Sequence, residues 1–185
     1  MPKKLTATEL KKKLAGLSQG DLIALICRVY KDSPEAKNIV NIVLGDSEYE
    51  SQLLDEKKKE LFGLFFPVKG YPKESPAVTK KMLSDFRKLG LAQEHTIEFQ
   101  VYFLECCTVY TATYGDMSEA FWNGVEREFA TAVEILNQTS DKKLLAVYYP
   151  RLLKVVEGMR DVGFGVYENL SKILYESLIS SQKSE

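Results

Sequence analysis

One histidine, His95, and three cysteines, Cys27, Cys106 and Cys107, bound most of the metal and nucleophile chemistry this chain could run. A Cys2His2 zinc site cannot be built from a single histidine, and no His-Glu-x-x-His exists. A Glu-x-x-His ligand pair would need an acid at position 92, which is Ala92. No metal site and no cofactor are therefore expected. A Cys–His nucleophile pair on a shared helix fails on distance, because Cys106 lies eleven residues from His95, roughly 16 Å along the axis. His95 reads as a surface or helix-start residue, and Cys106 and Cys107 as small apolar groups on a mostly buried helix. Gly163-x-Gly165 lacks the third glycine of a dinucleotide fingerprint and follows a helical pattern, so it reads as a turn. No Gly-x-x-x-x-Gly-Lys is present. Glu98 and Glu105 sit two turns apart, too far to share a metal directly, and read as solvated. The missing nucleophile–base pair argues against a triad hydrolase, so the balance leans away from an enzyme while leaving carboxylate, tyrosine or lysine acid–base chemistry open.

Two constellations remain. Polar and aromatic residues gather at helix ends, Tyr114, Asp116, Trp122 and Asn123 in one place and Arg160, Asp161 and Phe164 in another. They would line a ligand cleft if the fold joins them, although Asp116 is also explained as a helix cap and Trp122 as core. The second constellation is basic. Residues 1–90 carry 17 basic and 12 acidic groups, and residues 91–185 carry 8 and 14, within a total of −1. Lys11, Lys12, Lys13, Lys57, Lys58, Lys59, Lys80, Lys81, Arg87 and Lys88 would form a phosphate-binding stripe if their helices turn them to one side. Interleaved acids and the scarcity of arginine favour solvated helix faces instead.

The elements that must position these groups are helices. Thr6-x-x-Glu9 is a capping box, Ser18-x-x-Asp21 opens a second helix, and Ser33-Pro34 and Gly45 bound a third. Leu22, Ile23, Leu25, Ile26, Val29 and Tyr30 predict a wide buried face on the second helix, and Ile39, Val40, Ile42, Val43 and Leu44 another on the third. A fourth helix is predicted from Ser47 to Phe66, ended by Pro67. Residues 67–76 hold three prolines and a glycine, and are where two subdomains would join within a single domain over 1–185. Ser75-Pro76 caps a fifth helix ending at Gly90. In 92–114, Ile97, Phe99, Val101 and Phe103 alternate with polar residues as a strand would, but the uninterrupted length favours one long helix. Gly115 ends it, Asp116-x-x-Glu119 caps the next, Asp141 begins another that Pro150 should kink or split, and Gly163–Gly165 precedes the last. The fold expected is all-α, a compact multihelical domain of about eight or nine helices, with a degenerate HEAT-like stack of helical hairpins kept open.

Four stretches in order along the chain carry a resemblance: Leu-Lys-Lys-Lys-Leu-Ala-Gly-Leu-Ser at 10–18 with Asp-Leu-Ile at 21–23, Lys-Lys-Met-Leu-Ser-Asp-Phe-Arg-Lys-Leu at 80–89, Tyr-Gly-Asp-Met at 114–117 with Phe-Trp-Asn at 121–123, and Arg-Asp-Val-Gly-Phe-Gly-Val-Tyr at 160–167. Together they resemble an uncharacterised bacterial family of all-helical proteins. The resemblance implies a bacterial, single-domain helical protein and carries no activity or functional residue. With a charged amino-terminal stretch, no apolar run of membrane-spanning length and an odd cysteine count, the expected location is the cytoplasm. The expected function is a non-catalytic interaction module that binds a macromolecular partner, a protein or its own copy. Nucleic-acid binding through the basic first half is the alternative, and an unspecified enzyme the third.

Overall fold

The structure, a computed structural model, describes residues 4–45, 47–72, 75–115 and 117–182. The described chain is helical without strands: α1 (Ala7–Leu14), α2 (Gln19–Asp32), α3 (Pro34–Leu44), α4 (Ser47–Phe65), α5 (Pro76–Arg87), α6 (Gln93–Tyr114), α7 (Glu119–Asn137), α8 (Lys142–Gly158) and α9 (Val166–Gln182). Local chemistry sets most boundaries. Thr6 and Glu9 complete their capping box, and the Ser18, Ser33 and Ser75 side chains each accept the backbone N–H three residues on. Gly45 and Gly115 close α3 and α6, Gly115 at φ 84°, where a side chain would be strained. Ser118 caps α7. The Asp116 cap read from sequence lies outside the described residues, and the cap position it was to fill belongs to Ser118. Pro150 sits inside an unbroken α8.

The ambiguous stretch 96–103 is helical. Its alternation misleads because α6 is buried around most of its girth: Ile97, Phe99, Gln100, Val101, Phe103 and Leu104 are all in the interior. A helix with neighbours on every side need show no 3.6-residue polar stripe.

Contacts divide the chain into two compact units, Met1–Asp46 and Ser47–Glu185. The proline-rich segment 67–76 joins α4 to α5 inside the second unit. In that unit α6 packs against α4, α5, α7 and α8, and α9 closes on α7 and α8. Directions follow from named contacts. α4 runs parallel to α6, from Glu50 beside His95 to Phe66 stacked on Tyr114. α7 runs antiparallel to α6, from Phe121 beside Tyr110 to the Ile135 carbonyl accepting from Gln93. α8 is parallel to α6, from Arg151 beside Glu98 to Gly158 beside Thr108, where a Cβ on Gly158 would lie 2.3 Å from the Thr108 methyl. Leu61, Phe65, Leu104, Phe129, Leu152 and Met159 lie at the centre of this core, fully removed from solvent.

The first unit is different. α2 and α3 pack on each other, with the Tyr30 hydroxyl donating to Asn41 at 3.3 Å, yet no residue of α1, α2 or α3 is buried. The wide buried faces expected on α2 and α3 are thus corrected: Ile23, Ile26, Val29, Ile39, Val43 and Leu44 are all exposed, the last two by 73% and 78%. A single helix pair covers only one side of each stripe, and both stripes are wider than that.

Candidate functional site

The helix directions bring both helix-end groups to one pole of the second unit, where α6 and α8 end and α7 and α9 begin. There the residues diverge. Trp122 is core, its ring edge-on to Phe121, with its indole N–H buried and unpartnered among the described residues. Tyr114 is exposed against Phe66 and Tyr110, and Asn123 and Asp161 are exposed. Arg160 is tied to Glu157 through Nε at 3.1 Å and lies over the Tyr167 ring. Phe164 is exposed and takes a left-handed φ of 63° within the Gly163–Gly165 turn. Among the described residues no hydrogen bond, ion pair or ring contact joins Tyr114 or Asn123 to Arg160, Asp161 or Phe164, and Asp116 lies outside the described residues.

The basic candidates are largely spoken for. Lys57 pairs with Glu60 at 2.8 Å and Lys58 with Glu98 at 2.7 Å. Lys81 and Lys88 flank Asp85 and hold its carboxyl below the usual range, and Arg87 turns inward to Glu128 at 2.9 Å. Lys59 and Lys80 remain on the second unit without an ion pair among the described residues. Lys11, Lys12 and Lys13 occupy the last turn of α1 in the first unit, where they complement the helix dipole.

Two half-buried networks take up Lys58 and Arg87 from this set, and spacing alone did not disclose either. Glu98 and Glu105, read as solvated, instead clasp one guanidinium: Arg151 of α8 donates through Nε and Nη2 to Glu105 at 2.7 and 2.8 Å, and through Nη1 to Glu98. Lys58 completes the set, so two acids meet two bases across α4, α6 and α8. Burial would raise the Glu98 carboxyl, but hydrogen bonds from Arg151 and Lys58 outweigh it and hold the group low. In the second network the Gln100 side-chain amide donates to both the backbone carbonyl and the carboxylate of Glu128, at 2.9 and 2.8 Å, while Arg87 donates to the Gln100 side-chain oxygen Oε1 at 2.7 Å. Glu128 too is held low despite its burial, by Gln100 and Arg87. In both networks every carboxylate faces a guanidinium or ammonium group, which suits cross-linking of helices better than proton transfer. Nearby, burial pushes the Cys106 thiol up to about 11 and the Tyr102 phenol up to about 12, so neither supplies an anionic nucleophile.

The structure also assembles a trio that sequence reasoning missed. Ser51 lies 3.4 Å from His95 Nε2, and Glu50 lies 3.0 Å from His95 Nδ1. Hydroxyl, imidazole and carboxylate stand in the order of an acyl-transfer triad. Two observations argue for a structural role. Ser51 lies beyond the first turn of α4, where its amide and the next are committed to the helix ladder and cannot form an oxyanion hole. The same Glu50 oxygen accepts the Ala92 N–H at 3.1 Å, satisfying the backbone just ahead of α6, where Ala92 has no capping side chain. The trio fastens the starts of α4 and α6 together.

An open groove of ≈ 590 Å³ runs beside α4, with Phe62, Phe66 and Val68 as its apolar part and Lys58, Lys59 and Tyr102 at its polar edge. Lys58 sits 4.5 Å over the Tyr102 ring and is held by Glu98, while Asp55 and Lys59 complete the polar edge. Among the described residues no cluster of metal-ligating side chains occurs, and no helix is long and apolar enough to cross a membrane.

The model of a family of unknown function, DUF6155, matches residues 5–173. The chain belongs to that family. The DUF6155 match runs from ahead of α1 into α9, so the exposed stripes of the first unit and both half-buried networks of the second lie within it. No curated protein matches the chain, and no solved structure does.

Proposed function

We propose that this DUF6155 protein is a non-catalytic helical interaction module, working in the cytoplasm, whose first unit carries the partner-binding face. The observation behind this reading is the exposure of Ile23, Ile26 and Val29 along α2 and of Ile39, Val43 and Leu44 along α3, in a unit with no buried residue in its three helices. Monomeric proteins rarely leave apolar surface beyond about 300–600 Å² uncovered unless something binds there. The second unit, by contrast, has its own core, and its buried and half-buried charges Lys58, Glu98, Arg87, Glu128 and Arg151 are paired with one another. Nucleic-acid binding is the weaker reading, since Lys57, Lys58, Lys81, Arg87 and Lys88 all face carboxylates. Hydrogen exchange on the dilute full chain tests the proposal. Amides of α2 and α3 should exchange far faster than those of α6 and α7, because no cover is in place. Equal protection in a dilute monomer would mean the face is already covered within the chain, and would contradict the reading.

A further inference from the structure

Resting on that reading, we propose that the partner is a second copy of this chain, the exposed stripes of α2 and α3 packing on their own equivalents about a twofold axis. Four observations converge on this occupant. The first is size: a unit of Met1–Asp46 is near the limit of about 40 residues below which disulfides, metals or oligomerisation are needed. Here Cys27 is unpaired and no metal cluster occurs among the described residues. A cover needed whenever the unit folds is most directly supplied by a chain made in the same place at the same concentration.

The second observation is geometric. Ile23, Ile26 and Val29 recur every three residues and Ile39 and Val43 four apart, so each helix shows one continuous stripe. A stripe of this kind is self-complementary across a twofold axis, where each patch meets its own copy. The third is area. Among the described residues seven large aliphatic side chains of α2 and α3 are exposed, most by about half or more, a patch of the order that each partner brings to a standard interface, about 800 Å². The fourth is charge. Between Gln19 and Leu44 stand three bases, Arg28, Lys31 and Lys37, and three acids, Asp21, Asp32 and Glu35. A balanced rim does not repel its own copy and does not select a strongly acidic or basic partner.

Sedimentation equilibrium of the full chain over a range of concentrations is the test. The expected result is a reversible dimer. Val43→Glu with Leu44→Glu should weaken it by about a hundredfold, since charges would enter an apolar contact. Both side chains are more than 70% exposed, so the fold does not depend on them, and unchanged circular dichroism confirms that the variant is folded. Leu153→Glu, an exposed apolar position on α8, should leave the dimer intact. A dimer that survives the double variant but not Leu153→Glu would move the interface elsewhere and overturn the proposal. A chain monomeric at every concentration with fast exchange in α2 and α3 overturns the second copy alone and leaves a different partner for the same face. A monomer with α2 and α3 as protected as α6 overturns both this proposal and the function it rests on.

Discussion

Glu128 shows how a buried charge is used here. Its side chain is 3% exposed, and the cost of burial is offset by Gln100, Arg87 and Arg127. Removing one partner of such a set leaves the others uncompensated, so Glu128→Gln should cost about 3 kcal/mol in urea melts at neutral pH. The sign with pH follows from the lowered folded value. Glu128 and Glu98 contribute fully above the ordinary carboxylate range, and that contribution is lost as pH falls through their depressed values. The gap between wild type and Glu128→Gln should therefore narrow on acidification. A constant gap between pH 7 and pH 3 would show that the ionised carboxylate is not the source. None of this was legible in sequence. Arg87 reads as one base in a run, Glu98 and Glu105 as two solvated acids, and only the docking of α8 on α6 shows that Arg151 spans them.

At the scale of elements, the α6–α8 contact depends on a missing side chain. Thr108 fills the space over Gly158, and its hydroxyl donates to the Leu104 carbonyl at 3.0 Å, so a change of rotamer would cost that bond. Gly158→Ala should destabilise the protein by about 1–3 kcal/mol, and Thr108→Ser in the same chain should restore most of it by removing the methyl. Thermal melts of the single and double variants check this, and a harmless Gly158→Ala would mean the helices part freely. Helix ends were read well from sequence because Thr6, Ser18, Ser33, Ser75 and Gly115 act within a few residues of themselves. The α7 cap was missed because Ser118 and Asp116 both suit the role and the chain uses the nearer one. Sequence periodicity also gave no hint of the Glu50–His95–Ser51 fastening, which joins residues more than 40 positions apart.

For the whole molecule, one unit has a core of its own and the other has none. Ser47–Glu185 contains all the buried residues of the described helices, and should fold alone. Trp122, the single tryptophan, is 2% exposed, so its emission should be as blue-shifted in a 47–185 fragment as in the full chain and should move to the red on unfolding. A fragment of 1–46 should lack cooperative structure when dilute. All-α character was plain from capping and periodicity, whereas the division at Asp46 was not, because α2 and α3 carry core-like stripes that give no sign of being uncovered. The claim that these stripes form an interaction face is tested most directly by hydrogen exchange on the full chain at two concentrations. Protection of α2 and α3 should rise with concentration while that of α6 and α7 stays constant. Protection in α2 and α3 that is high and the same at both concentrations would contradict the claim.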